Sequence, residues 1–356
     1  MLKRLTSYII CTSALVSVDA QDIHFSQTNQ VSQFINPALV GHFDGWERVN
    51  LAHRQQWTSI GSPFVTSGIG VDLNFFKQEY GSKKAHMGVG LIFNNDIAGD
   101  AKLGTNQGVV SLSAIVPIAE NHTLSAGIQG GIGQRSGNIN NLTWGNQFNG
   151  DEFDAQIPSG EANSLTSLVY PDFGLGLNYT FENLKSNMVR KELMRLNVGF
   201  AYHHFNKPEI DFYAGNTGKL FAKLVAHTSF HMDIPNSLWA FEPSASYFSQ
   251  GPYREIYGGL LAKYRLKQGT KYTGINKEGY FCFGSNLRFN DAIIPVVAFE
   301  MGNYRLGVSY DVVISQLQAA SRMQGGFEIT FQWINMKDAL FKRRRGQFGG
   351  KGGSGA

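Results

Sequence analysis

The chain has 356 residues, with 31 Lys and Arg against 27 Asp and Glu, a formal net charge of +4, and two cysteines. Two cysteines in so long a chain exclude a disulfide-built scaffold. The basic excess is confined to the ends: residues 337–356 hold six basic side chains against Asp338, and residues 1–20 hold Lys3 and Arg4 against Asp19, which leaves the body at −2 and without the basic surface that nucleic acid requires.

Residues 1–20 read as an export signal. Lys3 and Arg4 precede an apolar stretch from Leu5 to Val18, and Val18-Asp19-Ala20 is a small-residue cleavage site that places Gln21 first in the mature protein. The stretch is shorter than the ~20 residues a membrane-spanning helix needs. Residues 21–45 follow; they are too polar to cross lipid and, from Phe34 to Gly41, too apolar for a free linker. A plug folded into a lumen or against its periplasmic mouth is the expectation.

From residue 46 to 336 the pattern changes to alternation. Val65, Ile69, Val71, Leu73 and Phe75 share one parity, and Thr66, Gly68, Gly70, Asp72 and Asn74 the other. Leu124, Ala126, Ile128 and Ile132 alternate with Ser125, Gln129 and Arg135, and Phe173, Leu175, Leu177, Tyr179 and Phe181 alternate with Asp172, Asn178 and Glu182. A period of two means strands with one apolar and one polar face, which suits a wall between lipid and a wet lumen. Strands are predicted near 46–57, 64–76, 84–93, 107–118, 122–135, 171–182, 193–204, 219–231, 238–249, 254–266, 278–289, 292–299, 304–314 and 322–334. The long connections 94–106, 136–170 and 205–218 all follow odd-numbered strands, which is the arrangement of outer loops when both termini are periplasmic. The 26 Phe, 14 Tyr and 5 Trp, several near strand ends as at Trp57, Trp239 and Trp333, fit interfacial aromatic girdles. The fold class is therefore all-β: a transmembrane antiparallel barrel of about 14 strands in the outer membrane, with an N-terminal plug and a basic, Gly-rich tail over 337–356.

No constellation in the body points to catalysis, a metal or a cofactor. His227 and His231 lie ~13 Å apart along one face of a strand, too far to share a metal. His203 and His204, as strand neighbours, should point to opposite faces. Cys282 falls on the lumenal parity without an evident base, which is weak ground for a nucleophile. Gly-x-Gly at Gly68/Gly70, Gly88/Gly90 and Gly174/Gly176 lacks the following helix of a phosphate loop and marks close packing instead. Asp151, Glu152 and Asp154 stand in an Asn/Gly-rich loop without regular calcium-ligand spacing.

Several short motifs, taken in order, resemble one family. His24-Phe25-Ser26-Gln27, Asn36-Pro37-Ala38 and Gly41, then Arg54-Gln55-Gln56-Trp57 with Pro63-Phe64 and Thr66, are similar to the start of the PorP/SprF family of type IX secretion system membrane proteins. Leu287-Arg288-Phe289, Gly307-Val308-Ser309-Tyr310-Asp311 and Gly325-Gly326-Phe327-Glu328 resemble its closing strands. The resemblance implies a non-enzymatic Bacteroidota outer-membrane protein of secretion and gliding motility. Its partners would be periplasmic components of the apparatus and a secreted cargo or adhesin with a C-terminal secretion signal. Arg54, Trp57, Asp311 and Glu328 are the motif positions that are candidates for partner contact, each with an equally good structural reading in the barrel. A transporter passing small or hydrophobic molecules through a plugged barrel explains the same alternation, but not the closing motifs.

Overall fold

The computed structural model describes residues 22–57, 63–77, 84–138, 142–160, 167–186, 191–210, 218–267, 278–316 and 323–336. The export signal and the basic tail lie outside the described residues. Fourteen strands follow in chain order: β1 Glu47–Gln56, β2 Phe64–Phe75, β3 His86–Ala98, β4 Leu103–Ala119, β5 His122–Ser136, β6 Leu168–Ser186, β7 Lys191–His203, β8 Lys223–Asp233, β9 Trp239–Gln250, β10 Tyr253–Lys267, β11 Gly279–Arg288, β12 Ala292–Met301, β13 Tyr304–Val313 and β14 Gln324–Asn335. Each pairs antiparallel with its chain neighbours, and β1 pairs with β14 from Glu47↔Asn335 to Gln56↔Gly326, which closes the barrel. Closure leaves no strand edge unpaired, the condition for a sheet to sit in lipid.

The alternation sorts the two faces. On β6, Val169, Phe173, Leu175 and Leu177 point outward and are exposed, and on β12 so do Ile293, Val297 and Phe299. On β2, Thr66, Asp72 and Asn74 point inward and are buried. Phe64, Trp239 and Tyr304 stand exposed at the first positions of their strands, where an aromatic ring meets the membrane interface. On β12 both faces are apolar: Ala292, Ile294 and Val296 point inward and pack with Val225, Phe248 and Leu261, with Ile35 against them.

Two expectations need correction. Residues 94–106 are not a long loop, because β3 runs on to Ala98 and β4 starts at Leu103, with Asn94↔Gln107 and Asn95↔Asn106 in register. Asn95 Nδ2 donates to Asn106 Oδ1 at 2.7 Å. These polar residues therefore continue the ladder, since a strand beyond the hydrocarbon needs no apolar face; β4 has 17 residues and β6 has 19, against the ~9–11 that span a bilayer. His203 and His204 do not diverge either. His204 has φ 55°, a left-handed kink at the end of β7, and both rings turn inward with centroids 6.1 Å apart.

Both termini of the barrel wall and all even-numbered connections lie at one end, here the termini end; odd-numbered connections lie at the other, the loop end. The β5–β6 connection, 137–167, and the β7–β8 connection, 204–222, carry the asymmetry, whereas β9 and β10 are joined by only Gly251 and Pro252. In the first of these, Phe148 bridges Phe153, Asp154 N donates to Gln147 O at 2.8 Å, and Gln147 Nε2 donates to Ile157 O at 3.0 Å.

The outward face is expected to tolerate no charge near mid-strand. Leu177→Arg, at the centre of β6, should destabilise folding into lipid vesicles by about 2–4 kcal/mol, read from denaturant-dependent refolding.

Candidate functional site

A closed ring of fourteen strands is too wide for wall side chains alone to fill, and the space is taken by residues 22–45. The segment starts at the loop end, crosses the lumen, and leaves at the termini end, where Trp46 N donates to Asn335 O and β1 begins; Asp22, held by Lys223 and His204, therefore lies at the end opposite the C-terminal end of β14, and the expectation that both termini share one side does not hold for the described residues. It contains one helical turn, Ser32–Ile35, and one 3-10 turn, Pro37–Leu39; the rest has no regular structure, so wall side chains must satisfy its backbone groups.

At the loop end, Asp22 pairs with Lys223 at 3.0 Å and His204 at 3.2 Å, while His204 Nδ1 donates to Asp172 at 2.7 Å. Burial pushes the Asp22 carboxyl up, but Lys223 and His204 outweigh it and hold it well below the usual carboxylate range. Burial lowers His204, yet Asp22 and Asp172 raise it to about 9, so the ring is cationic at neutral pH. Burial, followed by the nearby Arg54 and Arg288, holds the His24 imidazole well below its ordinary value. His24 Nε2 is therefore an acceptor, 3.3 Å from Arg288 Nη1.

In the middle, the opening and closing motifs form one contact. Glu328 accepts from Ser26 N at 2.6 Å and from Gln27 N at 2.9 Å. Asp311 accepts from Ser26 Oγ at 2.9 Å, from Arg54 at 2.8 Å and from Arg288 at 2.8 Å. Arg54 also donates to His24 O at 3.0 Å, and Asn286 Nδ2 donates to Ser26 O at 3.0 Å. Strand register assembles the set, because Arg54 on β1 lies opposite Glu328 on β14, which lies opposite Ser309 on β13, two residues before Asp311. Arg54, Asp311 and Glu328 are all at most 2% exposed, so what they touch is this chain's own N-terminal segment. Trp57 stands apart: it is half-buried at the loop end of β1, with φ 58° and its ring edge-on to Phe64 at 5.1 Å.

Lower in the lumen, Asn36 Nδ2 donates to the carbonyls of Leu177 and Phe200 at 3.1 and 3.3 Å. Gly41 N donates to Asp72 at 2.8 Å, and Arg48 binds both Asp72, at 2.6 Å, and Leu39 O, at 3.1 Å. The approach to the wall is close enough to require glycine. A Cβ at Gly127 would lie 2.4 Å from the Pro37 carbonyl carbon, and one at Gly88 would lie 2.4 Å from Val40 O.

Sequence reasoning missed Arg48, Asp72, Asp172 and the role of Arg288. The available signal was a charged residue on the inward parity of an otherwise apolar or glycine-rich strand. Beside the segment, at the termini end, lies an open chamber of about 330 Å³ lined by Arg48, Arg195, Lys263, Arg305, Asp44 and Glu242 among others. Among the described residues, no group of three or more His, Cys, Asp or Glu side chains could hold a metal ion.

Glu328→Ala should leave two buried backbone N–H groups unpaired, a loss of about 1–3 kcal/mol for each. In a Thr28→Cys background, labelling by a membrane-impermeant maleimide is expected to rise when Glu328→Ala is added; Thr28 is buried at 7% exposure.

Three solved structures are similar at the level of overall shape. BamA from Haemophilus ducreyi lacking POTRA domains 1–3 aligns at 9% identity over 81% of this chain and 70% of that one, with a TM-score of 0.40. The translocator domain of autotransporter NalP from Neisseria meningitidis aligns at 10% over 93% and 97%, with 0.34, and the CymD monoaromatic hydrocarbon channel at 12% over 86% and 94%, with 0.41. The architecture rests on the chain's own strand pairing, not on these alignments. No protein with a curated description matches the chain. Residues 17–333 match the family model described as type IX secretion system membrane protein PorP/SprF, a span that contains the N-terminal segment and nearly all of the barrel. The chain thus belongs to the PorP/SprF family and is an outer-membrane component of type IX secretion.

Proposed function

We propose that this protein is a non-enzymatic platform of the secretion apparatus: its loop end faces outward and holds or helps export a secreted surface protein, and its termini end faces periplasmic components. The observation that carries this reading is the occupied lumen. Asp22, Ser26, Gln27, Asn36 and Gly41 are each bonded to the wall, so the segment runs through the bore from one end to the other, which supports a reading in which the two ends are the working surfaces. Residues 337–356, which come after β14 in the sequence, hold six basic side chains. Arg54, Asp311 and Glu328 serve this role indirectly, by fixing the segment, while Trp57 sits at the outward rim where a partner can reach it.

Two measurements test the reading. Replacing residues 142–160 with a short Gly-Ser linker should leave the barrel folded, judged by heat-modified gel mobility, yet reduce surface retention of the cargo; unchanged cargo export and retention would remove the platform assignment. The full chain in a planar bilayer is expected to conduct little, and deletion of 22–40 to open a large conductance. High conductance by the intact chain would favour the channel reading instead.

A further inference from the structure

The chamber lies against a break in the barrel wall. β8 and β9 are in register from Lys223↔Gln250 to Ser229↔Ser244 and again from Met232↔Phe241, but the two positions between, Phe230 with Pro243 and His231 with Glu242, do not pair. Pro243 is the cause. A proline inside a sheet has no N–H to give to the ladder, which confines it to edges and bulges, and a closed barrel has no edge. The other side of β9 is intact through Leu260↔Pro243, so the missing donor is the one that should have met β8. Leu260 is exposed on the outward face, which puts the break at membrane depth.

A second proline gives the comparison. On β12, Pro295 interrupts the ladder to β13 between Ile293↔Val312 and Val296↔Ser309, but there the inward neighbours are packed: Ile294 is fully buried, and Asp311 is held by Ser26, Arg54 and Arg288. Behind the β8–β9 break lies instead the open chamber, whose lining includes Ser229, Phe230, His231 and Glu242. Interrupted backbone at membrane depth is tolerated only where protein buries it or where it lines a wet cavity, and the two prolines represent one case each. Across the β8–β9 break the strands are joined by side chains. His231 Nδ1 and Glu242 Oε1 are 2.9 Å apart, and Lys263 of β10 donates to the same Glu242 oxygen at 3.2 Å. Lys263 thus ties Glu242 to its own side of the break, and His231 supplies the link across.

We propose that the β8–β9 junction at Pro243 is a lateral seam: the two strands part there and open the chamber sideways toward the bilayer, with the Glu242–His231 pair as the latch. The seam follows from the pairing of the wall and is independent of the platform role.

The test is hydrogen–deuterium exchange of the full chain refolded into phosphatidylcholine vesicles, read by mass spectrometry on β8 and β9 peptides that span the break. The reference is the β6–β7 ladder, which is unbroken from Gly174↔His203 to Ser186↔Lys191. Exchange across the break is expected to be roughly tenfold faster than in the reference. Pro243→Val returns a donor opposite Phe230 and should slow it roughly tenfold, whereas Pro295→Val, at the other break, should leave β8 and β9 unchanged. In a Cys282→Ser chain, Ser229→Cys with Ser244→Cys places two thiols on facing residues; the oxidised pair should abolish the excess exchange and reduction should restore it. For the sideways opening, a bimane on Ser229→Cys should be quenched by lipids brominated on their acyl chains, and more strongly when Glu242→Gln is added. Heat-modified mobility checks that each variant forms a barrel. Parent exchange as slow as in the reference overturns the seam, as does excess exchange that survives both Pro243→Val and the oxidised pair. Quenching unchanged by Glu242→Gln overturns the latch.

Discussion

The structure depends on buried carboxylates that the barrel wall cannot satisfy by itself. Glu328 is fully buried and, among the described residues, forms no ion pair; its oxygens are met by the backbone N–H groups of Ser26 and Gln27. Asp311 holds two guanidiniums together, and one of these, Arg54, also donates to a segment carbonyl. Charges out of water are tolerated only when paired and hydrogen-bonded. An empty lumen would flood these groups or strand them, so the wall and the segment are a single folding unit held together across some 300 residues of sequence.

The wall is shaped for an off-centre occupant. Glycines at Gly70, Gly88, Gly127 and Gly176 leave room on the β2–β6 side, where Gln33, Val40, Pro37 and Asn36 press against them. The opposite side, from β7 to β12, carries larger inward side chains such as Val225, Phe248, Leu261 and Ile294, with Ile35 of the helical turn packed against them. Residues 33–40, drawn toward the β2–β6 wall, leave space opposite them, while the first residues of the segment bond to β8, β11, β13 and β14. The termini-end chamber, bounded by β7 to β10 and β13 to β14, is the geometric consequence of that glycine seat.

Strand number and closure were legible because lipid outside and polar groups inside impose a period of two that survives almost everywhere. It fails on β12, where inward Ile294 and Val296 face an apolar part of the segment, and there only strand length and flanking turns mark the element. Asn94 to Asp96 were misread as loop because polarity on both parities looks like solvent, although a strand above the bilayer is wet on both sides. His204 was misplaced because parity presumes extended backbone, which its positive φ breaks. Parity told that Arg54, Asp311 and Glu328 could point inward, but not that they meet. Their meeting depends on the register of β1, β13 and β14, which no single strand encodes, and on a segment 285 residues from Asp311. Motifs that looked like two unrelated ends of a family pattern were two halves of one contact.

That contact also sets what the barrel can communicate. The described part of the loop-end connection 142–160 contains Asp151, Glu152 and Asp154 and no basic residue, whereas the termini-end chamber is lined by ion pairs of both signs, so the two ends differ in charge pattern. The wall between them is a ladder fixed in register, in which a one-residue slip would turn every side chain to the wrong face. The segment is different: it is anchored by Asp22 at one end and Gly41 at the other, has little secondary structure of its own, and is held mostly by buried hydrogen bonds to wall side chains.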